Sequence, residues 1–274
     1  MCTTVSYPVS PRTRSTRPGS ISSSACARRR NGRPACRSTA SQKWGRAMAG
    51  KPGTIAPWSF SKIKAFDTCP KQFYHTHILK EFPYEETEAM RYGTEFHKAA
   101  EEFIRDGTPV PERFAFARPA LQTLADKPGT KHCEFKFGLT KDLKLCDFFD
   151  QRVWFRGVVD LVIVDGDEAL IVDYKTSKSA RYAEKGQLEL MALAMFKWFP
   201  KVKKIRGGLV FVVSNEFVRD TYTIDRQDEM WAKWFAEYAK LEKAAETGVW
   251  NPKPSGLCRK WCKVLECPHN GLSQ

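Results

Sequence analysis

Gly157-Val158-Val159-Asp160-Leu161-Val162-Ile163-Val164 and Ala169-Leu170-Ile171-Val172-Asp173-Tyr174-Lys175 decide how this chain folds. Both runs are apolar and β-branched, and Asp165-Gly166-Asp167-Glu168 between them is a hairpin signal. With Gly166-Asp167 as the central turn pair, Asp160 lies opposite Asp173. With Asp165-Gly166 it lies opposite Ile171, and Asp173 is one diagonal step away. Alternation with period two puts Asp160, Asp173 and Lys175 on one face in either case. Val158, Val162, Val164 and Ile171 share that face, so a merely solvated hairpin would leave these aliphatic side chains exposed. Two carboxylates and an ammonium converging among aliphatic groups is costly unless a cation binds there, and the pattern predicts a metal site.

Working outward, helices and strands alternate around this hairpin. Ser59 caps a helix over 58–66, and Gln72, Phe73, Tyr74 and Ile78 mark a second. Gly93-Thr94 opens a third that Gly107 and Pro109 stop. A short helix is expected over 119–124 and a strand over 133–137. A helix over 185–199, strands over 208–213 and 218–224, and a helix over 226–246 follow. In the last helix Met230, Trp234, Tyr238 and Leu241 share a side, and the Trp231/Trp234/Phe235 cluster reads as core. The order predicts an α/β (mixed α+β) fold, a mixed central sheet flanked by helices. One domain is expected over 54–274: a helical part to 130, a sheet core carrying the site over 131–225, and a C-terminal helix with a cysteine-rich segment.

The chain has 274 residues and a formal net charge of +14, but the charge is unevenly placed. Ten of its 45 basic residues precede residue 51, where there is no Asp or Glu; the remaining 35 basic and 31 acidic residues leave only +4. A nucleic-acid role therefore has to be argued from the site and not from the overall charge. Residues 1–53 form a basic tail rich in Ser, Arg and Pro, expected to be disordered. A transit peptide, a polyanion-binding arm, or a translation start at Met48 are the alternatives. No run approaches a membrane span, and no secretory signal is visible. Nine cysteines in so large a chain fit a reducing compartment better than a disulfide framework, and the cytoplasm is expected. Cys133 and Cys146 read as small buried hydrophobes.

The strand–hairpin–helix order and its motifs resemble the PD-(D/E)XK nuclease superfamily, and within it the RecB-like branch. Gly93-Thr94-Glu95-Phe96-His97 resembles that branch's helical histidine motif, and Glu134 its early acidic position. Gly157-Val158-Val159-Asp160 resembles the aspartate motif, with Val159 in place of the proline. Asp173-Tyr174-Lys175-Thr176 resembles the (D/E)-X-K motif. Gln187-Leu188-Glu189-Leu190-Met191-Ala192 resembles the following helix, with Met191 in place of its tyrosine. The resemblance implies a restriction-endonuclease-like core. It implies Mg²⁺ or Mn²⁺ held by His97, Glu134, Asp160, Asp173 and the Tyr174 carbonyl, and catalysis through Asp160, Asp173, Lys175 and Gln187. Lys178, Arg181 and Lys185 follow closely and could contact DNA phosphates.

Cys258, Cys262 and Cys267 lie within ten residues near the C-terminus. Iron–sulfur members of the RecB-like branch carry three such cysteines and one upstream, which Cys69 in Cys69-Pro70-Lys71-Gln72 resembles. The spacing Cys-x3-Cys-x4-Cys departs from their Cys-x2-Cys-x5-Cys. A [4Fe–4S] cluster, zinc with His269 as a further ligand, and reduced thiols all remain open. The resemblance implies a metal-dependent DNA exonuclease in recombination, repair or phage DNA processing, of bacterial or phage origin, with any helicase partner undefined. The rivals are a non-catalytic DNA- or partner-binding module on a nuclease fold and an interaction module built on the cysteines.

Overall fold

The computed structural model describes Ile55, residues 57–181 and residues 183–272. The expected basic tail over 1–53 lies outside them, as do its alternative readings. Along the chain run α1 (Phe60–Thr68), α2 (Pro70–Phe73) continued by a π-helical turn (Tyr74–Ile78), α3 (Glu88–Asp106) and α4 (Arg118–Ala125). Strands β1 (Thr130–Leu139), β2 (Leu145–Cys146), β3 (Phe155–Asp165) and β4 (Glu168–Lys175) follow. Then come α5 (Gly186–Trp198), β5 (Lys204–Phe211), β6 (Glu216–Thr223) and α6 (Gln227–Thr247). The six strands form one mixed sheet in the order β2-β1-β3-β4-β5-β6. Only β4 and β5 are parallel, because α5 carries the chain across between them.

This sheet buries both faces. On one, Val162, Ile171, Ile205 and Leu209 pack with Leu188 and Met195 of α5 and with Trp231, Trp234 and Leu241 of α6. On the other, Leu161, Ile163, Val172 and Val210 pack with Phe96 and Ala100 of α3 and Leu121 of α4. The sequence reading of a helix-covered mixed sheet holds, and the tryptophans of α6 are core. Val162 and Ile171 have no exposed surface, so the solvated-hairpin reading fails. Cys146 is buried, and half-buried Cys133 packs against the α3-side core.

Two boundaries differ from expectation. α3 begins at Glu88 and not at Gly93, because the Thr87 hydroxyl accepts the Met90 amide at 3.2 Å and caps the helix a turn earlier. Ser59 precedes α1 but its hydroxyl meets Ser61 at 2.9 Å instead of capping the helix backbone. Among the hairpin registers, Asp165 pairs with Glu168, which makes Gly166-Asp167 the central turn pair, with Gly166 at φ +61°.

Strict alternation breaks at one place. Phe135 and Val159 are partners facing the α5 side, whereas Cys133 and Leu161, two positions further along the same ladder, face α3. His132, on the other parity, stacks near Phe135 and Phe199. The residues between, Glu134 and Asp160, drop out of the pairing, and Glu134 adopts φ +47°. A non-glycine residue there costs on the order of 1 kcal/mol. β3 also leaves β4 at this point: their pairs end at Leu161–Val172, so residues 155–160 have no β4 partner and the two strands form a fork.

Within that fork Gly157 lies across from Phe137, whose ring covers it; an added Cβ would meet the ring at 2.6 Å. Phe137 is only 1% exposed, so the ring would have to shift to admit the methyl group. Gly157→Ala is expected to cost about 1–3 kcal/mol through overpacking, read as a lower urea midpoint with an unchanged m-value.

Candidate metal-dependent active site

The broken ladder is where the predicted residues meet. His97 projects from α3, Glu134 from the irregular turn of β1, and Asp160 from the end of the β3–β4 pairing. One ligand atom from each lies within 4.8 Å of the others. His97 Nδ1 is 3.3 Å from Asp160 and 4.0 Å from Glu134. The other Asp160 oxygen accepts the Tyr174 backbone amide at 2.7 Å, which ties the side chain to β4 beyond the last backbone pair.

Asp173, Lys175 and Gln187 form an adjoining group. Asp173 is 4% exposed. Gln187 donates to one of its carboxylate oxygens at 2.6 Å, and Lys175 Nζ stands 2.6 Å from the other. Lys175 in turn donates to the Gln187 carbonyl at 2.9 Å, closing a three-residue ring. α5 places Gln187 here because its first turn abuts the end of β4. Asp173 is thus held by this ring, while His97, Glu134 and Asp160 make the compact donor set.

Electrostatics join the two groups. Burial and the charge of Asp160 push Glu134 up to about 7, against the pull of His97. Burial and Asp160 likewise raise Asp173 to about 6, against Lys175. Burial disfavours a charged His97, but the hydrogen bond with Asp160 and the charges of Asp160, Asp173 and Glu134 outweigh it, and its pKa rises. Three mutually repelling carboxylates with one imidazole fit a hard divalent cation, which oxygen donors hold and a nitrogen donor shifts toward Mn²⁺.

The remaining predicted contacts are arranged differently. Lys178 and Arg181 are exposed in the loop after β4. Lys185 is paired with Asp220 of β6 at 3.3 Å, an ion pair that a DNA phosphate would have to replace. The Tyr174 side chain is buried on the α3 side of the sheet.

The four singled-out cysteines also meet. Cys69, between α1 and α2, shares a small cavity with Cys258, Cys262, Cys267 and His269. Backbone amides of Lys253 and Ser255 lie 3.4 Å from the sulfurs of Cys69 and Cys258. Among the described residues the compact donor group is the His97 set; the thiols surround their cavity without closing to that spacing. Sequence reading missed the side chains that shape this corner. Asn270, 1% exposed, donates to the Cys262 and Val264 carbonyls, and His75 lies between Glu81 and Glu266 at 2.6 and 3.2 Å. The run Pro268-His269-Asn270-Gly271 was the one available turn signal.

The sequence matches the family profile described as the PD-(D/E)XK nuclease superfamily over residues 57–132 and 113–267. The chain belongs to the PD-(D/E)XK nuclease superfamily. Its mixed six-stranded sheet flanked by helices is consistent with the restriction-endonuclease-like fold of that superfamily. Two solved structures resemble this nuclease-superfamily chain at low identity. The crystal structure of SSO0001 is 12% identical, with a TM-score of 0.36, covering 79% of this chain and 88% of that one. A protein from Eubacterium rectale, provisionally named an exonuclease, is 14% identical, with a TM-score of 0.43, covering 74% and 85%. No curated protein matches the sequence. No helix among the described residues is long and apolar enough to cross a membrane.

The raised carboxyls fix a pH dependence. Glu134 moves from 4.5 to about 7 and Asp173 from 3.8 to about 6, so the folded state binds more protons than the unfolded chain between about pH 4 and 7. Stability from this site is therefore full at low pH and is lost as pH rises through that window; His97 acts in the same direction. Added Mn²⁺ or Mg²⁺ should raise the melting temperature far more at about pH 8 than at about pH 5.5. Equal metal-induced shifts at both pH values, by scanning calorimetry, would count against a carboxylate-bound ion.

Proposed function

We propose that this chain is a divalent-metal-dependent deoxyribonuclease, an exonuclease of the RecB-like type serving recombination, repair or phage DNA processing in the cytoplasm. The observation that carries the reading is the meeting of His97, Glu134 and Asp160 with the Asp173–Lys175–Gln187 ring at the fork of β3 and β4. A non-catalytic module would gain nothing from burying Asp173 beside an ammonium that a glutamine holds in place. Residues 54–274 act in this reading as one nuclease domain.

His97, Glu134, Asp160 and Asp173, with the Tyr174 carbonyl, are the residues that would hold the ion. A bound divalent ion supplies Lewis acidity toward a phosphate oxygen and makes a water more acidic. Lys175 stands at the mouth of the site, one-third exposed, where it can orient a water for attack or donate to oxygen as charge builds there. Gln187 fixes that ammonium through its carbonyl and fixes Asp173 through its amide, so it positions both. The Tyr174 amide keeps Asp160 aimed into the fork. Lys178 and Arg181, exposed in the loop after β4, would meet the DNA backbone in this reading.

Linear and circular DNA incubated with Mg²⁺ or Mn²⁺ test this directly. Asp173→Ala and Lys175→Ala are each expected to lower the rate by about 10²–10⁴-fold while circular dichroism stays native. Activity confined to linear DNA marks an exonuclease. Wild type and Asp173→Ala behaving alike removes the enzyme reading.

For Cys69, Cys258, Cys262 and Cys267 we favour a [4Fe–4S] cluster over zinc. A tetrahedral zinc draws four sulfurs to about 2.3 Å from one point, whereas in a four-iron cluster each thiolate meets its own iron. Thiols spread around a cavity, two of them near backbone amides, suit the second arrangement. Anaerobic purification should yield iron and acid-labile sulfide together, both lost in Cys262→Ser along with several degrees of melting temperature. Zinc recovered in place of iron would overturn this assignment.

A further inference from the structure

A cavity of about 760 Å³ opens beside Lys175 and Gln187, on the side of the sheet covered by α5. It fills the mouth of the fork. Residues 155–158 of β3, which have no β4 partner, line one wall, and Ser177 and Ser179 beyond the end of β4 line another. α1 closes a third side through Ser61, Lys64 and Ala65, and Lys64 reaches Glu184 at 2.6 Å across the rim. The volume is that of a small-molecule or cofactor site, about 300–1,000 Å³. Hydrolysis of a phosphodiester needs only the Lys175 edge of it.

The lining says what fits. Phe60, Met191 and Phe211 give flat and aliphatic surface, and Lys64, Arg156 and several serines are among the lining residues. Arg156 is held against the Phe148 ring at 4.7 Å, and it donates to the Phe148 carbonyl at 3.1 Å. An apolar recess with cations and hydroxyls about it matches a nucleoside still joined to its phosphate: the base offers π-faces to the wall, and the charged backbone stays outside. A base within a duplex cannot enter such a recess without giving up its pair and its stack.

Resting on the nuclease reading above, we propose that this cavity holds an unpaired nucleoside adjoining the scissile phosphate, so that the protein acts on single-stranded or frayed ends in preference to intact duplex. α1 is then a substrate-facing wall, and Ala65 and Ser61 are specificity positions outside the catalytic groups.

The test uses the full chain and two variants that fill the recess from α1, Ala65→Trp and, at an exposed position, Ser61→Trp, each checked by melting temperature. Wild type should cleave an end-labelled single strand at least about tenfold faster than a blunt duplex of the same sequence. Either variant should lose at least about tenfold on the single strand while hydrolysis of bis(p-nitrophenyl) phosphate, too small to need the recess, stays unchanged. In Ca²⁺, a 2-aminopurine oligonucleotide should change its emission on binding wild type and should not do so with the variants. Variants that cleave the single strand at wild-type rate and keep the emission change overturn the cavity assignment. No hydrolysis of any substrate by wild type overturns the nuclease reading instead, and the emission arm then decides the cavity on its own.

Discussion

The 2.7 Å hydrogen bond from the Tyr174 amide to Asp160 extends the joining of β3 to β4 one step past their last backbone pair. It is also what points a carboxylate at His97. Everything in the site follows from the sheet giving up regular pairing at that point. Glu134 pays a backbone penalty at φ +47°, and the facing residues change sides about it. In return, acids from two strands and an imidazole from a helix share one polar gap between two apolar layers. An unbroken ladder would have left Asp160 on the face of Val162 and Ile171, away from His97 of α3.

The gap is held open by charge that is not yet balanced. Burial and mutual repulsion raise Glu134 and Asp173 above the ordinary carboxylate range, against the opposing charges of His97, Lys175 and Lys136. Such a site is strained without a cation and relieved with one. Lys175 has a double part in this. It compensates Asp173 through their ion pair, and in the proposed reaction the same ammonium would meet negative charge forming on a phosphate.

Much of this was legible in the residues. The β-branched runs flanking Asp165-Gly166-Asp167-Glu168 announced the hairpin, and counting from the turn narrowed Asp160's partner to two choices; the Asp165–Glu168 pair selects one of them. The apolar stripe of α6 and the helix-covered sheet could be read from periodicity. The break in alternation could not. Glutamate carries no preference for a left-handed backbone, so nothing local marks Glu134 as the pivot. The expected start at Gly93 moves back to the Thr87 cap, and the mid-helix glycine instead stands in close approach to Thr176. Asn270 and the recess beneath α1 arise from contacts between distant parts of the chain, to which a local pattern is blind.

α1 carries a consequence for how the two ends of the described chain communicate. Its last residues run directly into Cys69. Lys253 grips Asp67 at 3.0 Å, the Lys71 amide reaches the Asn251 carbonyl, and His75 reaches Glu266. The same nine-residue rod presents Lys64 and Ala65 to the fork. Chemical damage to the thiol corner would therefore be felt as a shift of the groove's wall, with no catalytic side chain touched.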